Sequence, residues 1–398
     1  MRKIHTCVVS TQYSEVLSGP GLYTQNLVEG LVDRGHEVTL VVPEGAGAGC
    51  SAAIHLVEVG SNRLPRKKGG WIILAFIFAK KIRQLIRASN IDIIHFTDAK
   101  EALFTVGSGK LIVGNVNDSY IAGKTFNPMV YKAHYPFDWF HRWVYQNIMF
   151  FLERHTLRRL SLNLCNSHFT KSEIAINYQV SPSRLNVCYK SIRLESYQNL
   201  HRQVGESGSK LILFPGGGNA QRKGLRVFLA SAELVLERYP NVQFLILGRD
   251  PIISKMVRKY CSPEVSDRLK HIVEVPNEKM KSLYVTADLL VMPSLVEAFG
   301  VVYLEAMICG TPVIGTLRGG ARELITDGKT GLLVNPTDSK ALADAIVKML
   351  ENGLFWKSVA EAGQVLASRF STSQMLENTL RAYEKLSTEA AGELAQRV

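Results

Sequence analysis

Two glutamates and a lysine are the residues of this 398-residue chain whose types and surroundings most clearly predict chemistry. Glu297 lies in a loop bounded by Pro293 and Gly300, and Glu305 lies in a mostly apolar segment where an unpaired carboxylate would be costly. Lys223 follows shortly after three consecutive glycines. Carboxylates accept hydrogen bonds from hydroxyls, and cations beside a glycine loop bind phosphates. The residues predict a site for a ligand that carries both groups.

The elements around Glu297 and Glu305 are those that place a site at the edge of a parallel sheet. The sequence predicts a buried strand over 287–292, a loop, a helix over 300–307 closed by Gly310, and a second strand over 311–315. Such a unit directs a helix N-terminus to the carboxyl edge of the sheet, where phosphates bind. A solvated helix face also supplies pairs of glutamates, but the strand-loop-helix context favours a binding site.

This stretch resembles the donor-site signature of the retaining glycosyltransferases of family 4, in which seven residues separate two glutamates. The spacing of Glu297 and Glu305 matches that signature, and so do the residue types of the loop. The resemblance implies that Glu297 holds the hydroxyls of the donor sugar and Glu305 those of the ribose. It implies further that the backbone at Phe299, Gly300 and Val301 holds the diphosphate.

A second glycine loop precedes Lys223, and we assign Gly217 and Gly218 to a diphosphate cradle there. Lys223 matches a lysine of the family, which also has an arginine five residues earlier, where this chain has Gly218. We hypothesise that Arg222 or Arg249 supplies the absent guanidinium.

Three further positions take their roles from the resemblance. Val275, in a strand predicted over 271–276, would border the nucleotide base with the loop that follows. At the end of a strand over 111–118, the family usually has a histidine that contacts the donor sugar and then an aspartate. This chain has Asn117 and Asp118, and Asn117 forms hydrogen bonds but cannot carry a proton. We retain both as catalytic candidates with Glu297 and Lys223.

The chain opens with a β-loop-α-β pattern: a strand over 3–10, a loop over 11–21, a helix over 22–34 and a strand over 37–43. We assign Gly19 and Gly21 of the loop to ligand binding, because glycine lets the backbone approach a ligand closely. The alternative is a loop that only turns the chain.

The length exceeds what one hydrophobic core normally covers, so two domains are expected. The predicted class is α/β, and the resemblance implies a GT-B fold with two Rossmann-like, doubly wound parallel-sheet domains that face each other across a cleft. We expect an acceptor-binding domain over 1–200 and a donor-binding domain over 201–370, with a linker over 196–209.

The sequence predicts helices over 339–351 and 355–381 near the end of the chain. The resemblance implies that a C-terminal helix over 371–398 crosses back to the first domain. At the end of the first domain the family commonly has Asn-Gly, where this chain has Lys190 and Ser191.

The net charge of +12 belongs mainly to the first half, in which residues 1–200 carry 23 Lys and Arg against 14 Asp and Glu. A predicted helix over 71–87 is apolar at its start and cationic at its end. It is either a packed helix with its charges in water or a membrane-surface patch. Nucleic acid is disfavoured, because no recognition motif accompanies the charge. The dense aromatics over 131–159 suit core packing, with an acceptor surface as the alternative.

The cysteines and the apolar segments of the sequence predict the cellular location. The six cysteines show neither metal-ligand spacing nor a disulfide-like cluster, which predicts reduced thiols and a cytoplasmic protein, with the inner face of the membrane as a peripheral location. The N-terminus has too short an apolar stretch for a signal peptide, and no segment is long enough to span a bilayer. We expect no metal and no cofactor.

The predicted function is a retaining, metal-independent transfer of a sugar from a UDP- or GDP-linked donor to an acceptor hydroxyl, as in surface polysaccharide or glycolipid synthesis. A nucleotide-sugar epimerase or hydrolase and a non-catalytic nucleotide-sugar-binding scaffold are the alternatives. The basic, aromatic first half favours a lipid-linked or anionic acceptor. The sugar, the base, the acceptor, the linkage and the oligomeric state stay open.

Overall fold

The structure is a computed structural model that describes residues 3–13, 19–60, 70–118, 139–198, 200 and 208–395. The chain divides into two compact units: a first unit of Met1–Lys190 with Thr372–Val398, and a second unit of Ser191–Ser371. The sequence predicted divisions after residues 200 and 370. Residues 131–138 of the aromatic stretch, the cations of 63–68 and most of the predicted linker lie outside the described residues.

The strands are β1 (His5–Val9), β2 (Glu37–Pro43), β3 (His55–Val59), β4 (Ile93–Phe96), β5 (Leu111–Val116), β6 (Leu162–Cys165), β7 (Leu185–Val187), β8 (Lys210–Pro215), β9 (Val242–Leu247), β10 (Leu269–Ile272), β11 (Leu289–Val291), β12 (Val313–Thr316) and β13 (Leu332–Val334). The helices are α1 (Gly19–Asp33), α2 (Gly70–Ala88), α3 (Trp139–Leu157), α4 (His168–Asn177), α5 (Leu225–Arg238), α6 (Ile252–Tyr260), α7 (Pro263–Asp267), α8 (Asn277–Thr286), α9 (Val301–Ile308), α10 (Ser339–Glu351), α11 (Gly353–Ala367) and α12 (Thr372–Ala395). Short 3-10 helices cover Ala99–Ala102, Pro182–Arg184, Leu194–Tyr197 and Gly320–Glu323.

The first unit contains a parallel sheet in the order β3-β2-β1-β4-β5-β6-β7. Alternate residues of β1, an inner strand, pack on opposite faces, as the period of a strand requires. Cys7 joins the core that contains Phe78 of α2, whereas Val8 joins the core that contains Leu27 of α1. Helices cover both faces, which explains why most residues of the inner strands are buried.

The second unit contains a parallel sheet in the order β10-β9-β8-β11-β12-β13. From the central strand β8 the chain first builds one half of the sheet and then, from β11, the other. Phe214 and Phe244 of the sheet pack on Phe228 of α5 in its core. Two doubly wound parallel sheets confirm the predicted fold class.

The last helix, α12, packs on α1 within the first unit. Leu376 lies so close to Gly30 that a Cβ at that glycine would stand 2.0 Å from the leucine Cδ1 atom. His95 of β4 also hydrogen-bonds to the hydroxyl of Tyr383 on this helix. The sequence predicted one continuous helix over 355–381, which was wrong, because the chain turns between Ala367 and Thr372.

Helix α2 follows the predicted bounds closely and buries one side in the first unit. Its buried positions include Trp71, Leu74, Phe78 and Ile82, as a packed helix requires. Among the described helices, none is both long and apolar enough to cross a membrane.

Candidate functional site

The carboxyl edge of the second sheet joins the two predicted loops. The strand order changes direction between β8 and β11, and ligands of open parallel sheets bind at such a point. After β11, the backbone N–H of Leu295 donates to the carbonyl of Arg222, after β8, at 2.8 Å. Gly224 permits the approach: its φ is +89°, and a Cβ there would lie 2.2 Å from the carbonyl oxygen of Pro293. The loops are therefore locked together through their main chains.

Glu297 is fixed by main-chain contacts on the other side of its loop. It forms a parallel bridge with Gly319, and its carbonyl accepts from the N–H of Gly320 at 2.7 Å. Gly319 has a φ of +95°, and a Cβ there would lie 2.1 Å from the Glu297 carbonyl oxygen. The hydroxyl of Ser294 donates to Glu297 Oε2 at 3.1 Å. The carboxylate of Glu297 thus has a defined position and one anchored oxygen.

Helix α9 begins directly after this loop and has no side-chain cap at its N-terminus. Gly300 is the N-cap residue, and Val301 is the first residue of the helix. The preceding Phe299 is buried, with its ring centroid 5.9 Å from that of Phe370. A helix start without a side-chain cap offers N–H groups and the positive end of the helix dipole. The segment 299–301 can therefore bind a phosphate.

Glu305 lies on α9 and is partly buried. Its Oε2 atom accepts a hydrogen bond from the hydroxyl of Tyr284 on α8 at 2.8 Å. Burial raises the pKa of Glu305, and the Tyr284 hydrogen bond and the charges of Lys223 and Lys281 partly oppose that rise. The carboxylate thus stands among one hydroxyl donor and two cations.

The glycine loop after β8 is pinned to the end of β9. The N–H of Gly217 donates to the carbonyl of Leu247 at 3.0 Å, and the N–H of Asp250 donates to the carbonyl of Gly217 at 3.2 Å. The carboxylate of Asp250 accepts from the N–H of Ala220 at 3.0 Å. These contacts hold the loop as a turn at the edge of the sheet, next to Lys223.

Lys223 connects the loop with the two glutamates. Its ammonium donates to the carbonyl of Pro215 at 3.0 Å. Burial lowers the pKa of Lys223, the charges of Glu297 and Glu305 oppose this, and that of Arg222 adds to it. The structure therefore brings together Lys223, Glu297 and Glu305, which lie far apart in the sequence. Two carboxylates, a half-buried ammonium and a helix N-terminus can bind hydroxyls and phosphates at once.

In the first unit, Asn117 ties strand ends together. Its side-chain amide donates to the carbonyl of Thr97 after β4 at 2.8 Å. Its own carbonyl accepts from the side-chain amide of Asn166 after β6, also at 2.8 Å. Thr97 in turn donates to Ser10 after β1 at 2.7 Å. Asn117 therefore holds the carboxyl edge of the sheet by amide hydrogen bonds.

Asp118 is exposed and acts electrostatically on Lys190 after β7. Burial lowers the pKa of Lys190 to about 8, while the charges of Asp98 and Asp118 oppose the shift. The ammonium of Lys190 lies 5.7 Å from the ring centroid of Tyr23 on α1. The edge of the first sheet thus combines two carboxylates with one half-buried cation.

Comparison with known proteins assigns both halves of the chain. Residues 209–352 match the model of the group 1 glycosyl transferases, and residues 17–196 match that of glycosyltransferase family 4. The chain belongs to the group 1 and family 4 glycosyltransferases. Its resemblance to that family is thereby confirmed.

A curated relative and two solved structures illustrate the likeness. A phosphatidyl-myo-inositol mannosyltransferase of Mycobacterium leprae is 32% identical over 45% of this chain and 47% of its own length. A sucrose-phosphate synthase of Thermosynechococcus elongatus aligns with a TM-score of 0.80 at 18% identity, over 97% of this chain and all of its own. Anabaena HepE in complex with UDP-glucose aligns with a TM-score of 0.70 at 18% identity, over 96% and 99%. The structures support the GT-B fold. The matches span about half the length of the curated relatives.

Lack of space does not explain why this chain has Gly218 where the family has an arginine. A Cβ at Gly218 would meet nothing within 4 Å, and its φ lies outside the left-handed region. Of the two proposed substitutes, Arg222 is near enough to Lys223 to lower its pKa. The guanidinium of Arg249 pairs with Glu274 at the surface. Arg222 is therefore the better candidate for the missing cation.

The predicted strand over 271–276 was too long. Strand β10 ends at Ile272, opposite Leu247, the last residue of its partner β9. Beyond that point the strand has no ladder to continue, and Pro276 caps α8. Val275 therefore lies in the connection to α8 and not in a strand.

Gly19 and Gly21 lie in the first turn of α1, whereas the sequence predicted a loop there and a helix from residue 22. The helix starts early because Pro20 fits its first turn, where a backbone N–H has no intrahelical partner. Residues 14–18 of the predicted loop lie outside the described part of the chain.

Sequence reasoning missed three residues near the charged groups: Tyr284, Lys281 and Lys190. Tyr284 and Lys281 lie three positions apart on α8 and both act on Glu305. Their spacing is a sign of one helix face, but nothing in the sequence shows which element that face meets. Lys190 stands where the family commonly has asparagine, and this departure was the available signal. Among the described residues, no group of three or more potential metal ligands occurs.

Proposed function

We propose that this protein transfers a sugar from a nucleoside diphosphate sugar to an acceptor hydroxyl, with retention of configuration and without a metal ion. The convergence of Lys223, Glu297 and Glu305 beside the start of α9 supports the proposal most strongly. That arrangement matches the parts of a nucleotide sugar: a diol, a diphosphate and a hexose. Family membership points to the same chemistry.

Each part of the donor has a proposed partner. Glu305 accepts from the ribose hydroxyls, and Glu297 accepts from those of the sugar. The N–H groups at the start of α9 and the ammonium of Lys223 bind the diphosphate, with Arg222 beside it. UDP- and GDP-sugars are both candidates, and the UDP-glucose complex of HepE favours UDP.

The proposed reaction breaks the bond between the anomeric carbon and the diphosphate oxygen. The acceptor oxygen forms a new bond on the same face, and its proton passes to the departing phosphate. Negative charge grows on the leaving group, where Lys223 and the α9 dipole stabilise it. The sequence holds no Asp-x-Asp pair that would carry a cation on the diphosphate. Glu297 orients the sugar and forms no covalent bond in this scheme.

The test is binding of UDP-, GDP-, ADP- and TDP-sugars in the presence of EDTA, by thermal shift and calorimetry. One nucleotide class should stabilise the full-length protein, and Glu305→Ala should abolish that stabilisation. Glu361→Ala, an exposed glutamate of α11 in the same unit, is the matched control and should leave it unchanged. The proposal fails if no nucleotide sugar binds.

Turnover then separates the transferase from its alternatives. An epimerase or hydrolase consumes the donor without an acceptor, whereas a transferase needs one. A non-catalytic scaffold, which Asn117 and Gly218 favour because the family has ionisable residues there, binds the donor and never consumes it. Donor consumption that depends on an added acceptor extract would support the transferase. The measurement is release of the nucleoside diphosphate, with and without that extract.

We propose further that the acceptor is anionic or lipid-linked and that the first unit docks on anionic lipid. One exposed stripe of α2 starts apolar and ends cationic: Ile73, Phe76, Lys80, Arg83 and Arg87. Phe76 is 57% exposed, and its ring contacts that of the exposed Phe104 at 5.9 Å. Apolar rings beside cations suit the surface of an anionic bilayer. The name of the mannosyltransferase relative contains phosphatidyl-myo-inositol, a lipid, which is consistent with this idea.

Liposome flotation tests the docking surface. The protein should float with vesicles that contain phosphatidylglycerol and less with phosphatidylcholine alone, and high salt should reduce the bound fraction. Phe76→Ser should reduce it severalfold. Ile176→Ser changes an even more exposed apolar residue on α4 of the same unit and should have no effect. Equal effects of the two substitutions would exclude a specific role for α2.

A further inference from the structure

Tyr284 is a buried tyrosine whose hydroxyl is committed to the ligand site. Its side chain is 2% exposed, and the hydroxyl donates to Oε2 of Glu305 at 2.8 Å. Its backbone carbonyl accepts from the hydroxyl of Thr311, which also contacts the carbonyl of Ala287. The ring and the main chain of Tyr284 are therefore both fixed, and the phenol meets Glu305 in a constant direction.

Lys281, one turn earlier on α8, adds a charge from the same side. Its ammonium lies 5.8 Å from the ring centroid of Tyr197 and acts electrostatically on Glu305. Residues three apart on a helix lie on the same face, so α8 presents a hydroxyl and an ammonium to one carboxylate. The ammonium favours the ionised form of Glu305, and the phenol selects its orientation.

This arrangement limits the number of hydrogen bonds that Glu305 can accept from a ligand. A carboxylate has two oxygens with four lone-pair directions, and the phenol occupies one of them. A vicinal diol supplies two further hydroxyl donors to such a group, whereas a 2′-deoxyribose supplies one. A partly buried carboxylate that lacks a hydrogen-bond donor costs free energy. A carboxylate held in one orientation therefore discriminates between ribose and 2′-deoxyribose more strongly than a mobile one.

We infer that Tyr284 is a positioning residue that holds Glu305 and thereby makes the site select ribonucleotides over 2′-deoxynucleotides. The inference rests on the proposed ribose role of Glu305. Tyr284 touches no ligand in this account; it acts through the carboxylate. Lys281 contributes affinity for both kinds of nucleotide and little selectivity.

The experiment compares the dissociation constants of UDP, 2′-deoxy-UDP, GDP and 2′-deoxy-GDP for the full-length protein by calorimetry. The wild-type protein should prefer the ribonucleotide by about tenfold or more, the usual effect of one unpaired polar group. Tyr284→Phe should reduce that preference to about threefold or less. Lys281→Met should weaken the ribonucleotide and the deoxynucleotide by the same factor.

Two further variants make the comparison decisive. Ser231→Ala removes another buried hydroxyl of the second unit, which bonds to the carbonyl of Phe228, and should keep the full preference. If Tyr284→Phe does not fold, 3-fluorotyrosine at position 284 keeps the ring and makes the phenol a stronger donor, which should raise the preference.

The outcomes distinguish the inference from the function on which it rests. If the wild-type protein binds none of UDP, GDP, ADP and TDP, the proposed function and the inference both fail. If it binds one of them and Tyr284→Phe retains the full ribonucleotide preference, the positioning role is wrong and the donor site survives. An unchanged preference with 3-fluorotyrosine would contradict the role in the same way.

Discussion

The carboxyl edges of the two sheets are built in different ways. In the second unit, glycines at positive φ let main chains touch, as where Gly319 meets Glu297. In the first unit, side chains make the connections: Asn117 bonds to the carbonyl of Thr97, and Ser10 bonds to Thr97 and to Thr24 of α1. Such a close main-chain contact requires glycine at a fixed position, whereas a side-chain amide or hydroxyl can be replaced by another hydrogen-bond donor. A main-chain contact of this kind therefore leaves a clearer pattern in the sequence than a side-chain network does.

The largest effect on stability should come from a substitution that breaks one of these close main-chain contacts. Gly319→Ala would put a Cβ 2.1 Å from the Glu297 carbonyl oxygen at a φ of +95°, so we expect a loss of at least about 3 kcal/mol in the free energy of unfolding. Gly328→Ala has a φ of +73° and no atom within 4 Å, so it should lose about 1 kcal/mol. Chemical denaturation measures both. Equal losses would mean that backbone conformation, and not the contact with Glu297, determines the cost.

The side-chain network of the first unit should be sensitive to acid. His95 is fully buried between Asn115 and Tyr383, and burial lowers its pKa from 6.5 to about 4. Between these values the unfolded chain binds more protons than the folded chain, so stability falls as the pH falls. The expected loss across this window is about 3 kcal/mol.

His95→Gln should remove most of this pH dependence, because it leaves no group to protonate at that position. His155→Gln, at an exposed histidine of the same unit, should retain the dependence of the wild-type protein. Denaturation at several pH values between 4 and 7 makes the comparison. The same slope in both variants would show that the acid sensitivity arises elsewhere.

The half-buried lysines of the two edges should differ in their effect on the nucleotide. Lys223→Ala should weaken binding of the diphosphate by about tenfold or more, because a charge-assisted hydrogen bond is lost. Lys190→Ala, at the edge of the first sheet, should change nucleotide affinity by less than about twofold. Calorimetric titration with UDP and GDP compares them. A similar loss of nucleotide affinity in both variants would contradict the assignment of the diphosphate to the second unit.

The smallest expected effect is a gain. Gly218→Arg should restore the cation of the family in open space, with unchanged stability and about fivefold tighter binding of the diphosphate. Gly218→Ala is the control and should alter neither property, since a Cβ there meets no atom within 4 Å. Thermal unfolding and titration test the pair. Weaker binding by the arginine variant would mean that Arg222 already occupies its place.

Sequence patterns predicted much of the fold, because burial of apolar strands and helix faces is recorded locally. The predicted strand over 37–43 and helix over 339–351 have the bounds that the structure gives them. The predictions failed where bounds depend on a neighbour. Strand β10 ends with the ladder of β9, and the predicted helix over 355–381 is two helices. The local sequence indicates neither the end of β10 nor the break between the two helices.

For the site, the sequence alone determined the residue types: two glutamates separated by seven residues, a lysine after a glycine loop, and a strand-loop-helix to hold them. Their roles in binding stay predictions. The groups that act on each charge are apparent only from the folded chain: Tyr284 and Lys281 on Glu305, Lys223 near both glutamates, and Tyr383 on His95. Periodicity reports which face of an element is buried, but pKa and orientation depend on atoms that distant segments bring within a few ångströms.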